Sequence, residues 1–200
     1  MRVVAGLVFV MAALLAAAPE SACAEGSVAS SAESVRPLGV GDTVPAVEVR
    51  NVAGEPVSLR ALVARQPTVL VFYRGGWCPY CNAQLAGLKK IDGELASLGY
   101  QLVAVSPDKP EKLAQSIAKQ ELGYALVSDS TADAIKAFGL AFRVDDETLA
   151  RYRGFGVDLE QASGAAHHLL PVPAVYVVDR GGKIQFVYWD ADYKQRLDPE

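Results

Sequence analysis

An α/β domain with a central mixed sheet flanked by helices is predicted by three observations. Between residues 68 and 139, short apolar runs rich in β-branched residues alternate with stretches of helical periodicity. The first two runs, Thr68–Tyr73 and Gln101–Ser106, have no polar alternation, as strands buried on both faces require. The last two, Ala174–Val178 and Ile184–Trp189, flank Asp179-Arg-Gly-Gly182, which reads as an antiparallel hairpin.

Two hundred residues, 51% of them hydrophobic, suffice for one well-buried domain and are too few for two. A net charge of −4 and the lack of a basic cluster argue against nucleic acid as a partner. Lys89-Lys90, the one adjacent basic pair, reads as a solvated helix face.

Residues 1–24 have the character of a signal peptide. Arg2 precedes an apolar run from Val3 to Ala18, and Ala22-Cys23-Ala24 resembles an A-x-A cleavage site. The run has 16 residues, short of the ~20 that span a bilayer. Cleavage after Ala24, export to a bacterial periplasm and no stable membrane insertion afterwards are expected. An uncleaved anchor, or a lipid on Cys23, are the alternatives; Glu20 stands where a bacterial lipid-attachment motif wants leucine. Loss of Cys23 leaves two cysteines, both in one motif.

Residues 25–36 are rich in Ser, Ala and Glu without periodicity, so a flexible linker is predicted, with the folded domain over 37–200. Val44–Val49 alternates, Asn51-Val-Ala-Gly54 supplies turn residues, and Val57–Leu59 resumes, a short leading hairpin. After the Thr68–Tyr73 strand, Gly75 and Gly76 release the chain into a turn. Pro79 occupies a favoured first helical position, and Leu85, Leu88, Ile91, Leu95 and Leu98 follow at helical spacing until Gly99. Pro110 opens a second helix with Leu113 and Ile117 inward, and Ala125–Val127 is a third strand. Ser130-Thr-Ala-Asp133 has capping-box spacing, and Gly139 closes the helix it starts. An insertion with weaker patterning runs from Leu140 to Leu170, with a helix expected from Asp145–Asp146.

This order puts Cys78 and Cys81 where a buried strand hands over to a helix N-terminus. Unpaired N–H groups and the positive end of the helix dipole favour a thiolate there. An ordinary cysteine is only ~3% thiolate at neutral pH, and such sites lower its pKa to roughly 3.5–7.5. Regular helical Cβ atoms three residues apart are ~5–6 Å from each other, whereas a disulfide wants ~3.5–4.5 Å. Cys78 must therefore lie at the very start of the helix, with Pro79 stiffening the segment. A purely structural disulfide would constrain little of the unfolded chain, and zinc would want ligands that a second cysteine pair would supply. A redox pair is the reading adopted. In open α/β sheets sites lie beyond strand carboxyl ends, and Pro171 and Pro173, directly before the Ala174 strand, belong to a neighbouring loop that would face the cysteines.

Trp77-Cys-Pro-Tyr-Cys81 after a buried strand, with Val172-Pro173 before a late one, resembles the thioredoxin fold. The resemblance implies that Pro173 is cis and packs against the cysteine pair. The leading hairpin, Phe72-Tyr73, the long insertion before the late strand and the Val-Val-Asp-Arg-Gly-Gly-Lys-Ile ending are similar to the peroxiredoxins, the alkyl hydroperoxide reductase and thiol-specific antioxidant family, over roughly 40–187. Relative to the family's Pro-x-x-x-Thr/Ser-x-x-Cys loop, Cys81 matches the peroxide-attacking cysteine. Cys78 stands for the Thr or Ser, Arg74 for the Pro, and Pro173 for an arginine that helps polarise peroxide.

The resemblance implies an antioxidant thiol peroxidase that reduces hydroperoxides through a Cys78/Cys81 dithiol–disulfide cycle. An external thiol, thioredoxin-like or small, would be its reductant, and no metal or organic cofactor is implied. The alternative is a thioredoxin-like oxidoreductase acting on protein disulfides, with Cys78 as an exposed nucleophile. In either scheme Arg74 supplies positive charge or lies on the surface, and Trp77 and Tyr80 shape a substrate surface or simply pack. His167-His168 raises a third reading, delivery of copper in the periplasm, although the proteins it resembles have three residues between their cysteines. His168 could also exchange protons with the thiols. Asp190–Arg196 reads as a solvated end, with docking to a redox partner as its alternative.

Overall fold

The computed structural model describes residues 28–198. The leading hairpin is β1 (Glu48–Arg50) with β2 (Pro56–Ser58), and the Asn51 side chain closes its turn by accepting from the N–H groups of Ala53 and Glu55. Leu59 does not continue the strand. It opens α1 (Leu59–Val63), whose first turn is capped by Ser58 Oγ accepting from Ala61 N. Then come β3 (Thr68–Phe72), α2 (Pro79–Ser97), β4 (Gln101–Ser106), α3 (Pro110–Gln120), β5 (Ala125–Ser128) and α4 (Asp133–Ala137). The chain continues through β6 (Ala141–Arg143), α5 (Asp146–Gly154), α6 (Leu159–Ser163), β7 (Leu169–Pro171), β8 (Ala174–Val178) and β9 (Ile184–Trp189).

Seven strands form one sheet in the order β2-β1-β5-β4-β3-β8-β9. β3, β4 and β5 are parallel, while β8 runs antiparallel to both β3 and β9, so the predicted mixed sheet is present. Side chains along β3 alternate between two cores, as strand geometry dictates. Leu70 and Phe72 join Leu59, Leu62, Ile135, Phe138 and Tyr176 on the face covered by α1 and α4. Val69, Val71 and Tyr73 join Cys78, Cys81, Leu85, Leu88 and Leu113 on the face covered by α2 and α3. Both cysteines therefore belong to a packed core layer.

Several expectations are corrected. The described part of the stretch read as a flexible linker is docked: Ala29 N donates to Ala141 O, Arg143 N donates to Ala29 O, and Val35 is buried. The capping box at Ser130 does not form. Ala132 is the N-cap, in a left-handed conformation, and the buried Asp129 carboxylate accepts from Ala134 N and Ile135 N instead. Burial pushes the Asp129 carboxyl up to about 7. On α2 only Cys81, Leu85 and Leu88 are fully buried, while Leu98 is 67% exposed. The insertion contains the expected helix with Asp145 as its cap, and also α6 and the two-stranded β6–β7 ribbon that its weak patterning did not reveal. The predicted signal peptide, its cleavage site and Cys23 lie outside the described residues. Among the described residues no helix is long and apolar enough to cross a membrane.

Candidate active site

The chain leaves β3 through Arg74 at the edge formed by the carboxyl ends of the parallel strands, and its next residues are held in one tight loop. Gly75 has φ +148°, and a Cβ on it would lie 2.7 Å from Asp108 Oδ1. A Cβ on Gly76 would run into Ser116 Oγ on α3. The loop is tied down from β4's end, where buried Asp108 accepts a 2.7 Å hydrogen bond from Gly76 N and a second from the Trp77 indole N–H. Burial pushes the Asp108 carboxyl up to about 6, against the pull of those donors and of Lys112. Asn82 closes the loop from α2, donating through Nδ2 to Gly76 O at 2.8 Å.

Cys78 is the N-cap of α2, with extended backbone (φ −87°, ψ 119°), and Pro79 is the first helical residue, as predicted. Cys78 O accepts from Asn82 N at 3.0 Å, so the helix begins at the first cysteine, and Cys81 lies in its first turn. Both cysteines are free thiols. The Cys81 thiol, as a donor, is the largest influence on Cys78, and together with the Cys81 backbone N–H and the charges of Arg74 and Arg196 it brings the Cys78 thiol down to about 6. The Cys78 sulfur beside it and burial push Cys81 the other way, well above the ordinary thiol range. Cys78 is thus the more acidic of the two thiols.

Exposure differs from the expectation for the disulfide-exchange reading. Cys78 is 1% exposed and Cys81 0%, so Cys78 is not an open nucleophile in this conformation. Arg74 is not a surface group either. It is 3% exposed, its guanidinium lies 5.2 Å from the Trp77 ring centroid, 5.5 Å from that of Tyr152 and 4.1 Å from that of Tyr193, and it donates to Tyr152 Oη. Trp77 packs on Tyr152, and Tyr80, 43% exposed, meets Tyr193 edge-on. Val172 and Pro173 are buried at the expected place before β8, but no peptide bond among the described residues is cis, so Pro173 is trans.

His167 and His168 are not brought to the sulfurs. His167 Nε2 donates to Ser130 O and its Nδ1 accepts from Leu169 N, which occupies both nitrogens of a neutral ring; burial lowers its pKa accordingly. His168 pairs with Glu160 at 2.6 Å. Among the described residues no group of three or more His, Cys, Asp or Glu is placed to hold a metal ion.

A cleft of about 250 Å³ opens beside the loop, lined by Gly76, Trp77, Asn82, Asp108, Lys112 and Ser116 among others, and neither cysteine lines it. Sequence reasoning missed Asp108, Tyr152, Tyr193 and Arg196. Asp108 had a legible signal, since it follows β4 at the same sheet edge as Arg74. The others reach the site from the insertion and the C-terminal segment, which no local pattern announces.

A family model described as the AhpC/TSA family matches residues 40–187. A Haemophilus influenzae protein assigned as peroxiredoxin bcp is 36% identical over 106 residues, which are 53% of this chain and 68% of that one. Peroxiredoxin Bcp of Escherichia coli is 32% identical over 106 residues, covering 53% and 67%. Among solved structures, peroxidoxin BcpB from Mycobacterium tuberculosis superposes with a TM-score of 0.60 at 24% identity, covering 75% of this chain and 84% of that one. Reduced Prx3 from Vibrio vulnificus superposes with a TM-score of 0.65 at 18% identity, covering 80% and 92%.

Proposed function

Because the chain belongs to the AhpC/TSA family and is a thiol-dependent peroxidase that reduces hydroperoxides, we propose that its electrons pass through Cys78 and Cys81, with Cys78 as the attacking sulfur. The observation that carries this is the place of the pair: Cys78 caps the N-terminus of α2, where unpaired N–H groups and the helix dipole favour a thiolate, and the Cys81 thiol and backbone N–H beside it lower its thiol while burial raises that of Cys81. A thiol held below its ordinary range carries more thiolate at neutral pH than the few per cent of a free one.

The Cys78 thiolate attacks the terminal oxygen of ROOH. The O–O bond breaks, the leaving alkoxide takes a proton and departs as ROH, and Cys78 becomes a sulfenic acid. Cys81 loses its proton, attacks the Cys78 sulfur and expels hydroxide, which leaves as water. Two electrons from an external thiol then return the disulfide to two thiols, with a thioredoxin-like protein or a small thiol as the donor. Peroxide is favoured over protein disulfides as the oxidant by the matched family and relatives, and delivery of copper by neither. The family's loop pattern puts Cys81 in the attacking place instead, and two serine variants distinguish the assignments. In stopped-flow mixing with hydrogen peroxide, Cys78→Ser is expected to abolish the fast reaction, and Cys81→Ser to retain it and accumulate a sulfenic acid that dimedone traps. The opposite pattern reverses the roles, and loss of neither phase removes the scheme.

The same proposal extends to location: export, with cleavage after Ala24 and a periplasmic site of action. Its support is Arg2, the 16-residue apolar run and Ala22-Cys23-Ala24. Mass spectrometry of the protein from a periplasmic fraction is expected to find Glu25 at the N-terminus; an intact Met1 in the cytosol counts against it.

A further inference from the structure

The segment after β9 does not trail into solvent. Two Asx turns shape it, with Asp192 N donating to Asp190 Oδ1 and Lys194 N to Asp192 Oδ1, and Gln195 N returns to Asp192 O. The turned chain then crosses the face that carries the active loop. Tyr193 inserts its ring between the Arg74 guanidinium, 4.1 Å from the centroid, and Tyr80, 5.7 Å away edge-on. Leu197 packs on the core layer that contains both cysteines. Arg196 Nη2 lies 3.6 Å from Cys81 Sγ and is a donor to it, while Nη1 bonds to Gln195 O and Nε is buried without a hydrogen-bond partner.

We infer that the segment from Asp190 to Asp198 completes the active site, with Arg196 as a catalytic cation at the Cys81 sulfur and Tyr193 as the residue that positions it. This rests on the reading of Cys78 and Cys81 as the redox pair. The chemistry it serves is the second step. Cys81 must carry negative charge as it attacks the Cys78 sulfenic sulfur, and it does so in a buried layer where an unpaired anion is costly. The charged and titratable groups that face Cys81 are Cys78, the phenol of Tyr73, and the cations Arg74 and Arg196. The Arg74 guanidinium is committed to three rings and Tyr152 Oη, and what Arg74 gives Cys81 is its backbone N–H. Of the two cations, Arg196 alone puts a side-chain donor on the sulfur.

The test uses the full chain in the Cys78→Ser background, with the pH dependence of iodoacetamide labelling at Cys81 read by peptide mass mapping. Adding Arg196→Gln is expected to raise the labelling midpoint by about one pH unit, about tenfold less thiolate below it. Arg196→Lys is expected to restore part of the shift. Tyr193→Ala, which frees the segment and keeps the guanidinium, is expected to move the midpoint the same way by less, and remains the readout should Arg196→Gln fail to fold. With both cysteines present, Arg196→Gln is expected to slow formation of the disulfide about tenfold, and to slow the first reaction with peroxide by less, since the Arg196 charge is the smallest of the influences on Cys78. The midpoint reads charge and not access, so a segment that merely covers the site would raise the labelling rate without moving it. An unmoved midpoint in both variants overturns the inference. The labelling needs no peroxide, so its outcome is separate from that of the peroxidase scheme.

Discussion

The carboxylate of Asp108, beyond the end of β4, accepts a 2.7 Å hydrogen bond from Gly76 N and holds the loop before Cys78 from the neighbouring strand. Two glycines and an aspartate on adjacent strand ends thus set where Trp77 and the first cysteine lie.

Asp108→Ala leaves the Gly76 N–H without its acceptor, and is expected to destabilise the protein by about 1–3 kcal/mol and slow the reaction with peroxide as the loop loosens. Asp108 also gives stability a pH dependence. Its folded pKa, about 6, lies above the ordinary carboxyl value of 3.8, so the folded state favours the protonated form. The corresponding stability is present below about pH 4 and is lost as pH rises through about 6. Thermal unfolding between pH 4 and 7 is expected to show a smaller fall in Tm for Asp108→Asn than for the parent; parallel curves count against this account.

Cys78 titrates in the opposite sense. Its thiol is lowered to about 6, so thiolate and reactivity are present above that pH and disappear as pH falls through it. Peptide mapping after brief iodoacetamide treatment at pH 7 is expected to find label on Cys78 and little on Cys81. Label appearing first on Cys81 contradicts the electrostatic division of the pair.

Gly76→Ala forces a methyl group onto Ser116 Oγ, an overpacking expected to cost about 1–3 kcal/mol. Removing the hydroxyl in Gly76→Ala/Ser116→Ala leaves Ser116 Cβ, at 3.5 Å, in ordinary contact, so the double variant is expected to recover most of the loss. Gly75→Ala is not rescued by the same change, since its φ of +148° and its approach to Asp108 remain. Denaturant unfolding of the four proteins distinguishes these cases.

Arg74 joins the loop, α5 and the C-terminal segment through three aromatic faces. Arg74→Lys keeps the charge and loses the planar stacking, with an expected cost of about 1–2 kcal/mol. Hydrogen exchange is expected to rise in α5 and in residues 190–198 but not in β3 or β4. Uniform exchange across the sheet would show that the aromatic box does not couple these elements.

Much of the fold was readable because its signals are local. The apolar runs of β3, β4 and β8, the proline and leucines of α2 and the Asp-Arg-Gly-Gly turn each report on neighbours within a few residues. Where local signals compete, partners from farther along the chain win. Asp129 displaced Ser130 as the acceptor at α4, and a polar stretch expected to be loose pairs with β6 because Ala29 finds backbone partners at Ala141 and Arg143.

The α/β class, the seat of the cysteine pair at a strand–helix junction and the helix start at Pro79 are all written in local residue patterns. Those follow from backbone sterics and side-chain periodicity, which act over one or two turns. The cover over both sulfurs, the Asp108 clamp on the loop and the meeting of Cys81 with Arg196, 115 residues on, come from long-range packing. Such contacts depend on where the sheet and the chain end bring distant residues, and packing of whole layers sets that geometry.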